Sequence, residues 1–204
     1  MKFLAAIIAI AGSHAFLTSQ TFDFHDPKGV NSVSIIIDAP LEPVRGHATG
    51  VSGTVVFDPA NPAKSTGNIA VSTAKLQLAS ADMTSAMLQD WCLDSAKFPT
   101  IQFEIKKVRD VKKVKEGEWN ATVDGTFTVK GVSKPMTVKA SAMLLPNKIK
   151  DRGGMEGKQG DLLQIKSKFS FNRLDYGVAP DLSTNLIGNK IDIDVAVIGV
   201  CPKP

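Results

Sequence analysis

The sequence predicts an all-β protein with one folded domain, and three observations carry that prediction. Apolar and polar residues alternate with a period of two from Asn31 almost to the end of the 204-residue chain. Segments rich in Gly, Pro or charge interrupt the alternation, as turns do. The net charge is only +4, and Lys and Arg are spread over polar strand positions. This distribution forms no basic patch and argues against nucleic-acid binding.

The apolar positions identify the strands in order along the chain. They are Val33, Ile35 and Ile37; Val51, Gly53, Val55 and Phe57; Ile69 and Val71; Ile101, Phe103 and Ile105; Trp119, Ala121 and Val123; Phe127 and Val129; Met136, Val138 and Ala140; Leu163, Ile165, Phe169 and Phe171; and Ile191, Ile193, Val195 and Val197. We expect eight main strands, with a leading strand near Phe22 and Phe24. Eight antiparallel strands with one apolar face form either a two-sheet sandwich or a closed barrel, and periodicity alone leaves both open.

A hairpin is predicted over residues 123–140. Its first strand ends at Val129, the segment Gly131–Pro135 supplies the turn, and alternation resumes at Met136. The apolar face of such a ribbon must lie against another element or a ligand, because a two-stranded ribbon is not stable alone in water.

Two segments depart from strand periodicity. Residues 81–92 place Met83, Met87 and Trp91 at helical spacing, which predicts one short amphipathic helix. Residues 146–161 carry several Gly and Lys residues and few apolar ones, so we expect a mobile loop there.

The first fifteen residues predict a signal peptide. Lys2 precedes a short apolar stretch, and Ser13 and Ala15 occupy the positions before the cleavage site. The stretch is far shorter than the ~20 residues that span a bilayer, and no Cys for lipid attachment lies near the cut. The expected product is a periplasmic or secreted domain over residues 16–204 that does not span a membrane.

Residues that carry chemistry are few. Apart from the signal peptide the histidines are His25 and His47, both in turn-like contexts, and no nucleophile elbow is present. His25 and His47 with Asp23 or Asp26 do not have the spacing of a zinc or calcium site. The sequence therefore predicts no catalytic residue, no cofactor and no metal.

Four stretches resemble the YceI-like family of exported lipid-binding proteins. They are GVNSVSIIIDAPLEPVRGHATGVSGTVVFDP (Gly29–Pro59), DWCLDSAKFPTIQFE (Asp90–Glu104), GTFTVKGVSKPMTV (Gly125–Val138) and FSFNRLDYGV (Phe169–Val178). Together they cover about residues 20–200. The resemblance implies a lipocalin-like, eight-stranded antiparallel barrel whose lumen carries or sequesters a polyisoprenoid or a fatty-acyl amphiphile without catalysis.

On this reading a set of apolar side chains lines the lumen and touches the lipid chain. The set comprises Val33, Ile35, Ile37, Val55, Phe57, Trp91, Phe103, Trp119, Phe127, Val129, Met136, Val138, Phe169 and Phe171. The candidate cations for a phosphate or carboxylate head group at the rim are Lys130, Lys134, Arg45 and Arg173. Arg173 is preferred because it lies where a strand ends and a recognised motif begins.

The two cysteines, Cys92 and Cys201, leave two alternatives. In an oxidising compartment they close a disulfide, or they pack as two small buried hydrophobic residues. A second alternative concerns function. If the barrel is filled by its own side chains, among them Phe103, Phe169 and Phe171, the protein is instead an interaction module that binds an envelope protein or polymer through loops such as 148–158. The oligomeric state is left open.

Overall fold

The computed structural model describes residues 18–26, 28–153 and 155–203. The predicted signal peptide, residues 1–15, lies outside the described residues. Within them the chain forms eleven strands: β1 (Gln20–Asp23), β2 (Ser32–Ile37), β3 (Val44–Ala48), β4 (Val51–Phe57), β5 (Thr66–Ser72), β6 (Leu76–Leu78), β7 (Thr100–Lys115), β8 (Glu118–Val129), β9 (Val132–Leu145), β10 (Gln159–Asn172) and β11 (Lys190–Lys203).

The helical elements are short. One α-helix, α1, spans Ala81–Leu88, and 3-10 turns form at Pro62–Lys64, Thr73–Lys75, Ile149–Asp151 and Arg173–Tyr176. The Ser80 side chain begins α1 by accepting a hydrogen bond from the backbone N–H of Met83. The helix ends at Leu88, earlier than predicted, so Trp91 lies in the turns that follow it. Of the helices in the described ranges, none has the length and hydropathy that a bilayer crossing requires.

The strands close into an eight-stranded antiparallel barrel. β1 and β2 pair with successive parts of β11, and they pair in turn with β4 and β3. β5 and β6 continue the same pattern beside β4 and β3. The pairs β1 and β2, β3 and β4, and β5 and β6 thus form three long barrel strands that are each interrupted once. β7 to β11 are the other five strands of the ring. Closure removes sheet edges and resolves the choice between barrel and sandwich in favour of the barrel.

The predicted hairpin is present, with a tighter turn than expected. Lys130 and Gly131 alone connect β8 to β9, with φ of 49° and 75°, and Val129 pairs directly with Val132. A two-residue turn with positive φ at both positions matches the twist of the flanking strands. Glycine is needed at position 131 for a second reason, because a Cβ there would lie 2.5 Å from the Phe98 ring.

The two ends of the barrel differ. The mouth is defined by the connections 38–43, 79–99, 130–131 and 173–189, and the base by the connections 58–65, 116–117 and 146–158. Near the base the interior is filled by buried side chains from four strands. They are Phe22, Leu144, Leu163 and Val197, and Phe24 follows directly after β1. The lumen is therefore solid in this part, which we call the filled base.

The prediction of a mobile loop over 146–161 was wrong. Ile149 is fully buried at the base and forms a cluster with Leu162 and Val200. Arg152 pairs with Asp26 at 3.0 Å, and both side chains are largely buried. Ile149 thus anchors the segment to β10 and β11, and Arg152 anchors it to the β1–β2 connection.

Candidate functional site

An apolar cavity of about 460 Å³ occupies the barrel interior from the mouth towards the base. Thirteen of the fourteen residues predicted to line the lumen border it. They are Val33, Ile35, Ile37, Val55, Phe57, Trp91, Phe103, Trp119, Phe127, Val129, Val138, Phe169 and Phe171. The cavity is inconsistent with the alternative of a completely filled barrel. Its volume falls within the ~300–1,000 Å³ of sites that bind small molecules.

Met136 is the one predicted lumen residue that does not border the cavity. It lies opposite Gly125 in the β8–β9 ladder, where the Phe103 ring covers the glycine. Its half-buried side chain packs against the main core and against the neighbouring cluster of Val108, Val123 and Val138. The correct face was predicted, but the neighbouring aromatic ring occupies the space towards the lumen.

The lower end of the cavity is closed by an aromatic pair, Phe57 and Trp119. Their ring centroids are 5.3 Å apart and the planes meet at 66°. Both side chains are more than 90% buried, and both border the cavity. The adjacent residues of the filled base, such as Leu144 and Leu163, are buried but do not border it. Phe57 and Trp119 thus form the floor of the cavity together with Pro62 and Ser65 of the base connection, which also border it.

One wall of the cavity contains a group of edge-to-face aromatic rings. Phe127 contacts Phe169, Phe171 and Tyr176 with centroid distances between 5.2 and 5.7 Å. Such contacts stabilise beyond simple burial. This wall is a rigid apolar surface against which a hydrocarbon chain can lie.

The mouth is lined by residues that the sequence did not single out for the lumen. Met83 and Met87 of α1 and three side chains of the 173–189 connection, Leu182, Leu186 and Ile187, border the cavity. Trp91 is 42% exposed and marks the outer edge. Met83 and Met87 were predicted to pack, and methionines adapt readily to irregular space.

The segment after α1 is held to the barrel by buried polar contacts. The Thr73 hydroxyl, 1% exposed, lies 2.8 Å from the Ser95 hydroxyl and donates to the Phe98 carbonyl at 3.1 Å. The Ala179 N–H donates to the Trp91 carbonyl at 3.1 Å. These contacts join the motif at 90–104 to the connection that follows β10 and so fix the shape of the mouth.

Arg173 requires a correction, because it is buried rather than exposed at the rim. Its side chain is 1% exposed, and its guanidinium donates to five backbone carbonyls of residues 178–188. A guanidinium has five N–H donors, so none remains for a head group. Burial also lowers the pKa of Arg173 below its ordinary value. Arg173 organises the mouth connection rather than contacting a ligand through hydrogen bonds.

The other predicted rim cations differ in their surroundings. Arg45 forms a 2.6 Å ion pair with Asp38 and also donates to two backbone carbonyls. Lys130 donates to the Gly177 carbonyl at 3.1 Å, and the Lys134 ammonium lies 5.8 Å from the centroid of the Tyr176 ring. Lys130 in the β8–β9 turn and Lys134 at the start of β9 therefore provide positive charge at the mouth.

Of the two alternatives for the cysteines, the disulfide is not formed, since Cys92 and Cys201 are both free. Cys92 borders the cavity near Arg173 at the mouth, whereas Cys201 pairs with Asp161 at the base. Cys201 follows the mouth residue Lys190 by eleven positions on β11, which corresponds to ~35 Å, while a disulfide needs Cα atoms within ~7 Å. Burial raises the pKa of Cys92 to about 11, despite the opposing effect of Lys130 and Arg173. Cys92 behaves as a small apolar residue.

The chemistry that the cavity offers is almost purely hydrophobic. The charged residues that border it within the described part of the chain are Glu42, exposed at the mouth, and Arg173, whose donors are occupied. In the same residues no group of three or more His, Cys, Asp or Glu side chains is arranged to hold a metal ion. The site suits a long apolar chain, although a few uncharged polar side chains, Ser65, Gln102, Ser141 and Ser167, also border it.

Comparison with known proteins gives a consistent assignment. A family model described as "YceI-like domain" matches residues 18–198. A "UPF0312 protein" of Pseudomonas fluorescens is 28% identical over 165 residues, which cover 78% of this chain and 76% of the relative.

Two solved structures share the fold. BcnA of Burkholderia cenocepacia has a TM-score of 0.63 at 17% identity, with 82% of this chain and 95% of BcnA covered. A polyisoprenoid binding domain from Saccharophagus degradans has a TM-score of 0.60 at 10% identity, with 91% and 100% covered. The match over residues 18–198, together with the barrel and its motifs, shows that the chain belongs to the YceI-like domain family.

Proposed function

We propose that this protein is an exported, non-catalytic binding protein that holds the hydrocarbon chain of an isoprenoid or fatty-acyl amphiphile inside the barrel. The observation that carries the proposal is the cavity of about 460 Å³, whose lining side chains are almost all apolar. The donors of Arg173, the one cation that borders it within the described residues, are all occupied by backbone carbonyls. Burying a hydrocarbon chain there is favourable by ~25 cal/mol for each Å² removed from water.

The orientation of the ligand follows from the difference between the two ends. The aromatic floor and the filled base leave no exit for a polar group at the lower end. Inside the cavity a phosphate or carboxylate would lose its hydration, and the few polar side chains there, Ser65, Gln102, Ser141 and Ser167, carry no charge that could compensate for the loss. The chain therefore enters first, and the head group remains at the mouth near Lys130 and Lys134.

The relatives support this class of ligand at the level of the fold. The Saccharophagus degradans domain that shares the barrel is described as polyisoprenoid binding. Export is part of the proposal because residues 1–15 read as a signal peptide, and it places the protein where envelope lipids are handled. Carriage or sequestration of the lipid fits a site whose lining is almost entirely apolar.

A direct binding titration tests the proposal. A fluorescent polyene fatty acid should gain emission on entering the dry cavity and reach saturation at one molecule per chain. Unlabelled fatty acids or polyprenols should displace it in competition. An Ile69→Trp variant, which places an indole in the cavity wall, is the matched control and should lose most of the signal. Absence of saturable binding to folded wild-type protein would refute the proposal.

A further inference from the structure

The lower section of the cavity is walled by unusually small side chains. Ala121 pairs with Ala140 across the β8–β9 ladder, Trp119 pairs with Ala142, and all four residues border the cavity. Alanines contribute little volume, so space remains between the strands at this level. Trp119 is the one bulky side chain that β8 and β9 contribute to the lower cavity within the described residues.

Phe57 supports the indole from the opposite side of the barrel. The edge-to-face contact at 5.3 Å joins β8 to β4, two strands that are not neighbours in the sheet. Pro62 of the 3-10 turn Pro62–Lys64 and Ser65, which follows that turn, border the cavity as well and complete its floor. The Ser65 hydroxyl donates to the Pro62 carbonyl at 2.8 Å and holds this turn closed. A hydrocarbon chain that reaches this floor therefore cannot extend further towards the base.

We infer that Trp119, backed by Phe57, sets the maximum length of hydrocarbon chain that the cavity accepts. The inference rests on the proposed function and adds a specificity-determining residue to it. The terminal methyl group of a bound hydrocarbon chain lies between Ala121, Ala140 and Ala142 and contacts the Trp119 indole. Chains beyond the limit leave their extra methylenes in water at the mouth, where these contribute nothing to affinity.

This assignment predicts a break in a plot of affinity against chain length. Each methylene that finds room inside raises the affinity of a straight-chain fatty acid about four-fold, equivalent to ~0.8 kcal/mol. Beyond the limit the curve becomes flat. Competition against the fluorescent fatty acid, with a homologous series from decanoate to tetracosanoate, measures the position of the break.

Substitutions at the floor should move the break, whereas substitution of a similar residue elsewhere should not. Trp119→Ala removes the indole and shifts the break by several carbons to longer chains, and Trp119→Phe shifts it by fewer. Phe24→Leu is the control, since Phe24 is a fully buried aromatic residue that does not border the cavity. Circular dichroism checks that each variant is folded, and Trp119→Phe decides the result if Trp119→Ala is not.

The possible failures are distinguishable. If wild-type protein and folded Trp119 variants show the break at the same chain length, Trp119 does not set the maximum chain length. The proposed function would still stand. If affinity in the wild type rises without a break through the whole series, the inference is also overturned. If wild-type protein binds no member of the series, the proposed function itself fails.

Discussion

The filled base and the hollow mouth half use the same alternating strands but are held together by different forces. In the filled base, the side chains of Phe22, Phe24, Leu163 and Val197 are fully buried and belong to one hydrophobic cluster. In the mouth half the corresponding interior positions border a cavity, and the connections above them are held by hydrogen bonds to Arg173. Close packing stabilises one end, and a buried polar centre stabilises the other.

This difference shows how a barrel can contain a cavity without collapsing. Large apolar residues near the base bury enough surface to stabilise the fold, so the side chains in the upper half need not fill the interior. The long connection after β10 borders this cavity and has no hydrophobic core of its own, so it needs another source of stability. Arg173 compensates by satisfying five carbonyls of this connection from a single side chain.

The largest effect is expected from removing that polar centre. Arg173→Met leaves buried carbonyls without donors and should lower the free energy of unfolding by about 4 kcal/mol, because each unsatisfied group costs ~1–3 kcal/mol and some regain water. The thermal midpoint should fall by about 10 °C. Arg45→Met is the control, since its exposed ion pair contributes under ~1 kcal/mol. Equal midpoints for the two variants would contradict the role of Arg173.

A second test contrasts packing in the two halves. Leu163→Ala removes a fully buried side chain of the filled base and should cost about 3 kcal/mol. Ile69→Ala in the cavity wall should cost about 1 kcal/mol, because its side chain already borders empty space. Denaturant unfolding measures both values. If Ile69→Ala proves as destabilising as Leu163→Ala, the lumen is packed in solution.

Introducing a larger side chain into the cavity wall also tests whether the lumen is hollow or packed. Ile69→Trp should weaken fatty-acid binding at least ten-fold while changing the thermal midpoint by only a few degrees, since the indole enters existing space. In a packed core the same insertion costs ~1–3 kcal/mol or more. Thr128→Lys, on the outer face of β8, should alter neither property. A large loss of stability in Ile69→Trp together with unchanged binding would contradict the cavity.

The smallest expected effect concerns the charge of Asp161 at the base. Burial raises the pKa of this carboxyl, but donors from Asn147, Lys203 and Gln20 outweigh that and hold the pKa below its usual range. The carboxylate therefore stabilises the fold fully above its unfolded pKa of ~3.9. That stabilisation is lost as the pH falls through the lower folded pKa.

Asp161→Asn should accordingly reduce stability by about 1 kcal/mol at neutral pH, through the loss of charge-assisted hydrogen bonds. Measured against wild type, the difference should stay constant from neutral pH to about pH 5 and shrink below about pH 4. A difference that grows on acidification would contradict the assigned sign.

The alternation of apolar and polar residues predicted most strands of the fold. The strands and interruptions that it missed have identifiable physical causes. Alternation located the apolar faces of β2, β4, β8, β10 and β11 because each has one dry side. It missed the second half of β7, where charged side chains occupy both faces and a residue with positive φ, Asp110, disturbs the period. It also missed the breaks that divide three long strands, since these depend on neighbouring strands rather than on local sequence.

The site was predictable where periodicity determined it and not elsewhere. Twelve of the thirteen lumen positions follow from the inward face of the strands, and Trp91 followed from helical spacing. Leu182, Leu186 and Ile187 belong to an irregular connection that has no periodicity. The environment of Arg173 depends on carbonyls up to fifteen residues away that only the folded connection brings together. The separation of Cys92 from Cys201 is likewise a property of the barrel as a whole.

The most direct test of the central claim is the lipid content of the folded protein itself. Wild-type and Ile69→Trp proteins are incubated with a mixture of fatty acids and polyprenols, repurified, extracted with organic solvent, and the extracts are quantified by mass spectrometry. The account predicts close to one lipid chain per wild-type molecule and little in the variant, whose cavity is obstructed. Equal, near-zero lipid in both extracts from folded protein would contradict the claim that this cavity binds hydrocarbon chains.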